Sequence, residues 1–284
     1  MTMRPALSTG DSQRGYLIPI GGAEEKEVSP VILERFVKLC GGADANIVVI
    51  PTASRLVDTG SMYVEVFDEL GAGHANYFQL KTRADCERPS YLARLDEATG
   101  IFITGGNQLR LSTILGGTLM AKKIRHLNAH EVHVAGTSAG AAILPEHMIA
   151  GGDSGPTPTL DKVVLSPGLG LTNSLMIDQH FRERDRLGRL LTALAYNPFA
   201  CGLGVDEDTA AFINPDGVFE VVGTGGITVV DPSEVEYSSI AEIRKKEVVS
   251  LTNVRLHILG SGAQFDIKSR RAIVHPELET EEQA

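Results

Sequence analysis

Residues 132–145 read VHVAGTSAGAAILP, an apolar run that enters Gly136-Thr137-Ser138-Ala139-Gly140 and leaves it on small and apolar side chains. The run 132–135 predicts a strand and the segment AAILPEHMI predicts a helix, so GxSxG lies in the strand-turn-helix setting of a nucleophile elbow. Its glycines relieve crowding in a sharp turn and leave the Ser138 hydroxyl clear at the end of a sheet. A helix opening at Ala139 would bring backbone amides and a helix dipole to the serine, where a developing oxyanion needs donors. Such an elbow requires a sheet whose strands feed helices, and the fold class follows as α/β.

Working outward, four more short β-branched or apolar runs, 16–20, 46–50, 75–80 and 101–104, alternate with segments of helical period. That alternation predicts parallel strands joined by crossover helices, a mainly parallel sheet flanked by helices. In SPVILERFVKL, Ser29 can cap, Pro30 suits the first turn, and Ile32, Phe36 and Leu39 share one face before Gly41-Gly42 stops the helix. After Ala150 the texture changes to Gly- and Pro-rich turns between short strands, as in INPDGVFEVVGTGGITVV, with one clear helix at about 185–196. No linker or internal repeat interrupts the chain, so a single domain over 15–276 is expected, with flexible ends at 1–14 and 277–284.

Composition narrows the function classes. The 284 residues are 43% hydrophobic and 22% charged, close to ordinary globular usage. The longest apolar runs fall far short of the roughly 20 residues that cross a bilayer, and no basic-then-apolar leader opens the chain, so a cytoplasmic protein with no membrane partner is expected. A net charge of −10 and a pI near 5.3 argue against nucleic acid as a partner. Cys40, Cys86 and Cys201 are odd in number and lack metal-ligand spacing, so neither disulfides nor a metal is expected, and no cofactor. The loop PIGGAE, 19–24, lacks both GxGxxG spacing and a Walker lysine and reads as a tight turn near strand ends.

A serine nucleophile needs a base, and the base needs an orienting acceptor. Of the eight histidines, His180 stands out because it ends the apolar run 174–177 within Asp178-Gln179-His180-Phe181, at a strand's C-terminal end where active sites of open α/β sheets collect. Asp206 or Glu207, in GVDED after another apolar run, can supply the acid; spacing does not choose between them. Thr104-Gly105-Gly106-Asn107-Gln108 follows the strand 101–104. There a Gly106 or Asn107 amide can complete an oxyanion hole with that of Ala139, or the loop can simply cap a helix. The order Ser, His, acid differs from that of α/β-hydrolases. FRERDRLGRL alone reads as a solvated, ion-paired helix face.

Together GGAE, TGGNQ, GTSAGA, DQHF with RERDRLGRL, and GVDEDTA, in order from about residue 20 to 210, resemble the serine peptidase family of cyanophycinase and aspartyl dipeptidase. The resemblance implies a class I glutamine amidotransferase-like, flavodoxin-like fold with an extra β-rich C-terminal part, and a homodimer. It implies an exopeptidase that hydrolyses cyanophycin, a poly-aspartate backbone carrying arginine on each side-chain carboxyl, to β-Asp-Arg dipeptides through an acyl-enzyme. It also implies Ser138 as nucleophile, His180 as general base and then acid, and Glu207 as the residue orienting His180. Asn107, Gln108, Asp178, Gln179, Arg184, Arg186 and Arg189 would shape the substrate pocket, with GGNQ a variation beside the oxyanion site. Arginines can fork onto the substrate's carboxylates and an acid can receive its guanidinium. A hydrolase of small aspartyl peptides and a non-catalytic binder of Asp/Arg-rich ligands are the alternatives.

Overall fold

Five strands, β1 (Leu17–Ile20), β2 (Asn46–Ile50), β3 (His74–Tyr77), β4 (Gly100–Ile103) and β5 (His133–Thr137), pair in parallel in the order β1-β5-β4-β2-β3. They are five of the nine strands of one sheet in the computed structural model, which describes residues 5–8 and 13–273. The expected flexible end at 277–284, and most of that at 1–14, lie outside the described residues. Side chains of these strands alternate between two faces: Ile47 and Val49 join Ile18 and Phe102 on one, whereas Val48 and Ile50 join Ile101 and Ile103 on the other.

Helices α1 (Val31–Leu39) and α2 (Thr59–Glu69) cover the first face with Ile32, Phe36 and Phe67. Pro30, not Ser29, occupies the N-cap position of α1, and no side chain caps it. The opposite face carries α3 (Pro89–Asp96), α4 (Gln108–Leu115), α5 (Leu119–Asn128) and α6 (Ala139–Ala142). The expected helix after the elbow is thus a single turn. Pro145 has no N–H to continue it, and the chain turns into a hairpin of β6 (His147–Gly152) and β7 (Val163–Pro167).

Beyond β1 the sheet is antiparallel, through β10 (Thr209–Ile213), β11 (Val218–Gly223), β14 (Gln264–Asp266) and β15 (Arg271–Ile273). The sheet is therefore mixed, not mainly parallel. Short turns such as the one at 214–217 join β10 to β11, and only antiparallel neighbours can be joined so tightly.

A second sheet, absent from the sequence reading, has the order β13-β12-β9-β8, built from β8 (Leu175–Gln179), β9 (Cys201–Val205), β12 (Ile227–Asp231) and β13 (Arg255–Leu259). Its Leu175, Ile177, Leu203 and Val229 pack into the same core as α4, α5 and α6. Its outer side is covered by α7 (Leu187–Tyr196) through Leu190, Ala193 and Leu194 against Met176 and Val230. The chain passes from this sheet to the large one in the three residues between β9 and β10, which places that turn beside the elbow.

Candidate active site

The elbow exists because two glycines let backbones touch. A Cβ on Gly136 would lie 2.2 Å from the Gly140 carbonyl oxygen, and one on Gly140 would lie 2.0 Å from that of Ile103. Ser138, between them, takes φ 51° and ψ −111°, a conformation costly for an L-residue and kept only where the surroundings overdetermine it. Its N–H donates to Ile20 O at 3.0 Å, and its carbonyl accepts the Ala141 and Ala142 amides at 3.0 Å each.

The second sheet delivers the partners. His180, just past β8, sets Nε2 2.9 Å from Ser138 Oγ and Nδ1 2.5 Å from Glu207 Oε1. With Nδ1–H donated to the carboxylate, the Nε2 lone pair faces the serine hydroxyl. Burial pushes the His180 pKa below its ordinary value; the Glu207 hydrogen bond opposes that shift, and the charges of Arg184 and Arg186 reinforce it. The shift favours the neutral imidazole, whose Nε2 lone pair can accept a proton.

The geometry separates the two acids that spacing could not. Asp206 is buried and accepts the Arg182 and Gly226 amides at 3.1 Å each, which uses its carboxylate to hold the turn. Glu207, one residue on, points the other way, to His180. Its own amide donates to Glu183 Oε2 at 3.2 Å.

The TGGNQ loop abuts the serine: a Cβ on Gly105 would lie 3.2 Å from Ser138 Cβ. Asn107 is removed as an oxyanion donor, because its amide goes to Ala53 O at 3.0 Å. Its side chain caps α4 by accepting the Arg110 amide at 3.0 Å. The amides of Gly106 and Ala139 have no backbone acceptor among the described residues. Since α6 is one turn long, Gly106 and Ala139 offer two individual amides beside Ser138 and not a helix dipole.

The residues expected to shape the pocket divide. Gln108 donates through Nε2 to Ala150 O at 3.0 Å. Asp178 and Arg189 are buried and paired with each other, Arg189 Nε lying 2.6 Å from Asp178 Oδ2. Arg186 is buried beside them, bonded to Gln179 Oε1 at 2.6 Å, and desolvation lowers its pKa to about 10. Asp178, Gln179, Arg186 and Arg189 thus bond to one another behind His180, with Arg186 Nε left without a partner among the described residues. Arg186 and Arg189 are three residues apart and share one helical face with Leu190 and Ala193, so the solvated-face reading of the segment also fails for them. Arg184 is the exception: it is exposed beside His180.

Sequence reasoning missed the loop after β1. Gly22, at φ +103°, lies flat against the imidazole, and a Cβ there would be 2.4 Å from His180 Cε1. The available signal was a glycine pair leaving the strand that pairs with the elbow strand. The apolar groove of about 470 Å³ between α7 and residues 232–238, lined by Leu191, Leu194, Phe199 and Tyr237, contains none of these groups. Among the described residues, no three His, Cys, Asp or Glu side chains converge as metal ligands, and no helix is long and apolar enough to cross a membrane.

The family model described as Peptidase family S51 matches residues 17–221. A cyanophycinase of Synechococcus elongatus is 42% identical over 260 residues, covering 91% of this chain and 81% of the relative. Those of Trichormus variabilis and Geminocystis herdmanii are 39% and 40% identical, covering 94% and 91% of this chain and 90% and 96% of theirs. The crystal structure of a peptidase from an acI-B1 Actinobacterium superposes with a TM-score of 0.60 at 18% identity, over 86% of this chain and 97% of that one.

Proposed function

The chain belongs to peptidase family S51 and is a serine-type hydrolase, and from that premise we propose that it degrades cyanophycin from a chain end, releasing β-Asp-Arg dipeptides. The observation that carries the reading is the chain of two hydrogen bonds from Ser138 through His180 to Glu207, in a protein about 40% identical to cyanophycinases over nine-tenths of its length.

In this reading Ser138 Oγ attacks the backbone carbonyl of an aspartate unit while its proton passes to His180 Nε2, and the Gly106 and Ala139 amides hold the oxyanion. The C–N bond then breaks as His180 returns the proton to the leaving amine. Water adds to the acyl-enzyme with His180 again as base, Ser138 leaves as the hydroxyl, and the carboxylate product departs. Arg184, exposed at the rim, offers a fork for a substrate carboxylate. Asp178, Arg186 and Arg189 serve indirectly, as a fixed base under the strand that presents His180.

Further parts of the reading are one active domain over 15–276, a homodimer, a cytoplasmic location, and a class I glutamine amidotransferase-like description of the parallel half. The last is supported by the order β1-β5-β4-β2-β3 with the elbow at the end of β5. The dimer and the location rest on family resemblance and on the absence of a bilayer-length apolar run.

The test is incubation of wild type and Ser138→Ala with washed insoluble cyanophycin, following clearing of the suspension and the masses of soluble products. Clearing by wild type alone, with β-Asp-Arg released, is expected. Failure of both proteins to clear it, with aspartyl dipeptides cleaved by wild type, would move the assignment to a small-peptide hydrolase; binding without release would leave an inactive binder.

A further inference from the structure

The motif GGAE is used by none of the steps above, yet it and the strand residue before it bond to the backbone of the nucleophile, of the base and of the residue after the acid. Three consecutive carbonyls, those of Ile20, Gly21 and Gly22, accept the amides of Ser138 at 3.0 Å, His180 at 2.9 Å and Asp208 at 2.9 Å. Asp208 follows Glu207 directly. A single stretch of chain therefore sets the register of the nucleophile strand in one sheet and of base and acid in the other. Ala23, Ser138, His180 and Asp208, which flank this stretch, are all non-glycine residues with φ between 46° and 51°.

The stretch ends on Glu24, whose carboxylate is buried directly under the elbow, its side chain 1% exposed. Glu24 Oε2 accepts the Thr137 hydroxyl at 2.5 Å, and Oε1 accepts the Tyr63 hydroxyl. Lys26 Nζ lies 3.3 Å from Oε1 and donates to the Glu24 carbonyl at 2.8 Å. Tyr63 stays a donor, since burial and then the Glu24 charge raise its phenol pKa well above the ordinary value.

A carboxylate in such a place costs several kcal/mol unless fully bonded, and a buried apolar side chain would fill the space without that cost. What only the anion supplies is direction. It accepts and never donates, so both hydroxyl hydrogens must point at it and the Thr137 rotamer is locked. Thr137 immediately precedes the strained Ser138.

We infer that Glu24 is a positioning residue for the nucleophile: through Thr137 Oγ1 it fixes the turn that aims Ser138 Oγ at His180 Nε2. The inference rests on the proposed role of Ser138, and its test separates the two. Thr137→Val keeps the shape of the side chain and removes its hydroxyl; Thr137→Ser keeps the hydroxyl. Each is compared with wild type and Glu24→Gln for kcat and KM on soluble β-aspartyl peptide or cyanophycin, for thermal midpoint, and for the rate at which a fluorophosphonate labels Ser138.

A misaimed nucleophile is expected to lose on the order of 10–100-fold in kcat and in labelling rate. KM should stay within about threefold, and Thr137→Ser should restore most of the rate. A purely structural role would lower the thermal midpoint while the folded enzyme kept its labelling rate. Equal labelling of wild type and Thr137→Val, or a change confined to KM, overturns the inference while leaving Ser138 as nucleophile. Absence of labelling in wild type overturns both. If Glu24→Gln does not fold, the Thr137 pair decides alone.

Discussion

His180 stands between two oxygens with opposite demands, since Glu207 takes a hydrogen bond from Nδ1 and Ser138 gives one to Nε2. Burial, reinforced by Arg184 and Arg186, keeps its pKa below the ordinary histidine value. A base with a depressed pKa remains competent at pH 7 and is lost only as pH falls through that lower value. The acid limb of kcat/KM, which reports the free enzyme, is accordingly expected below pH 6.5. Glu207→Gln removes the bond that raises the His180 pKa and frees the wrong tautomer. It should move the limb further down and cost a factor on the order of 10³–10⁴ in kcat. A limb that moved up in this variant would contradict the hydrogen bond.

At the scale of elements, α4 begins where the TGGNQ loop ends, and one asparagine does two jobs there. Its amide closes the loop onto Ala53 and its side chain caps the helix. Asn107→Ala should therefore lower stability by about 1 kcal/mol, as loss of an N-cap does, in a denaturant titration. Its kcat/KM should remain within about twofold, because the retained amide still closes the loop. A large kinetic loss at unchanged stability would return Asn107 to the substrate pocket. The same loop explains why GGNQ tolerates a polar side chain beside the serine: Gly105 supplies the close approach, and the Asn107 side chain turns back into its own helix.

The candidate site lies where the two larger sheets meet, so whatever locks those sheets together protects it. Asp231 on β12 is fully buried and bonds Arg270, in the turn from β14 to β15 of the large sheet, at 2.9 Å. It also bonds Arg255 within its own sheet at 2.6 Å. Removing one member of a buried ion pair leaves the others uncompensated, at about 3–5 kcal/mol. The Arg255 side is partly open to solvent and contributes less. Asp231→Ala is expected to cost about 3 kcal/mol in urea unfolding. Unchanged stability would mean that the sheets are held by apolar packing alone. Asp231, the acidic residue of β12, thus matters to a site it does not touch.

How much of this was legible follows from the range of each signal. GTSAG carries its own explanation, because the clashes that demand glycine at 136 and 140 arise within the elbow and its neighbouring strand. The five parallel strands and their helices are legible for a similar reason: hydrophobic period is local and reports which face is buried. His180 was readable as a residue ending an apolar run. The choice of Glu207 over Asp206 came from the family resemblance and not from spacing, since two adjacent carboxylates differ only in which way the turn throws them. Nor was the division of the arginines legible, because whether Arg189 meets a ligand or Asp178 depends on how α7 lies across β8. The second sheet escaped for the same reason, as short strands between turns do not state which sheet they join. Sequence by itself determined the chemistry available, an elbow serine, a histidine and acids in family order. Only the tertiary structure decided which way the turn throws each acid, which charges neutralise one another, and that one loop registers all three strands, because those are contacts between separate elements, from 11 residues apart for Asp178 and Arg189 to 186 for Gly22 and Asp208.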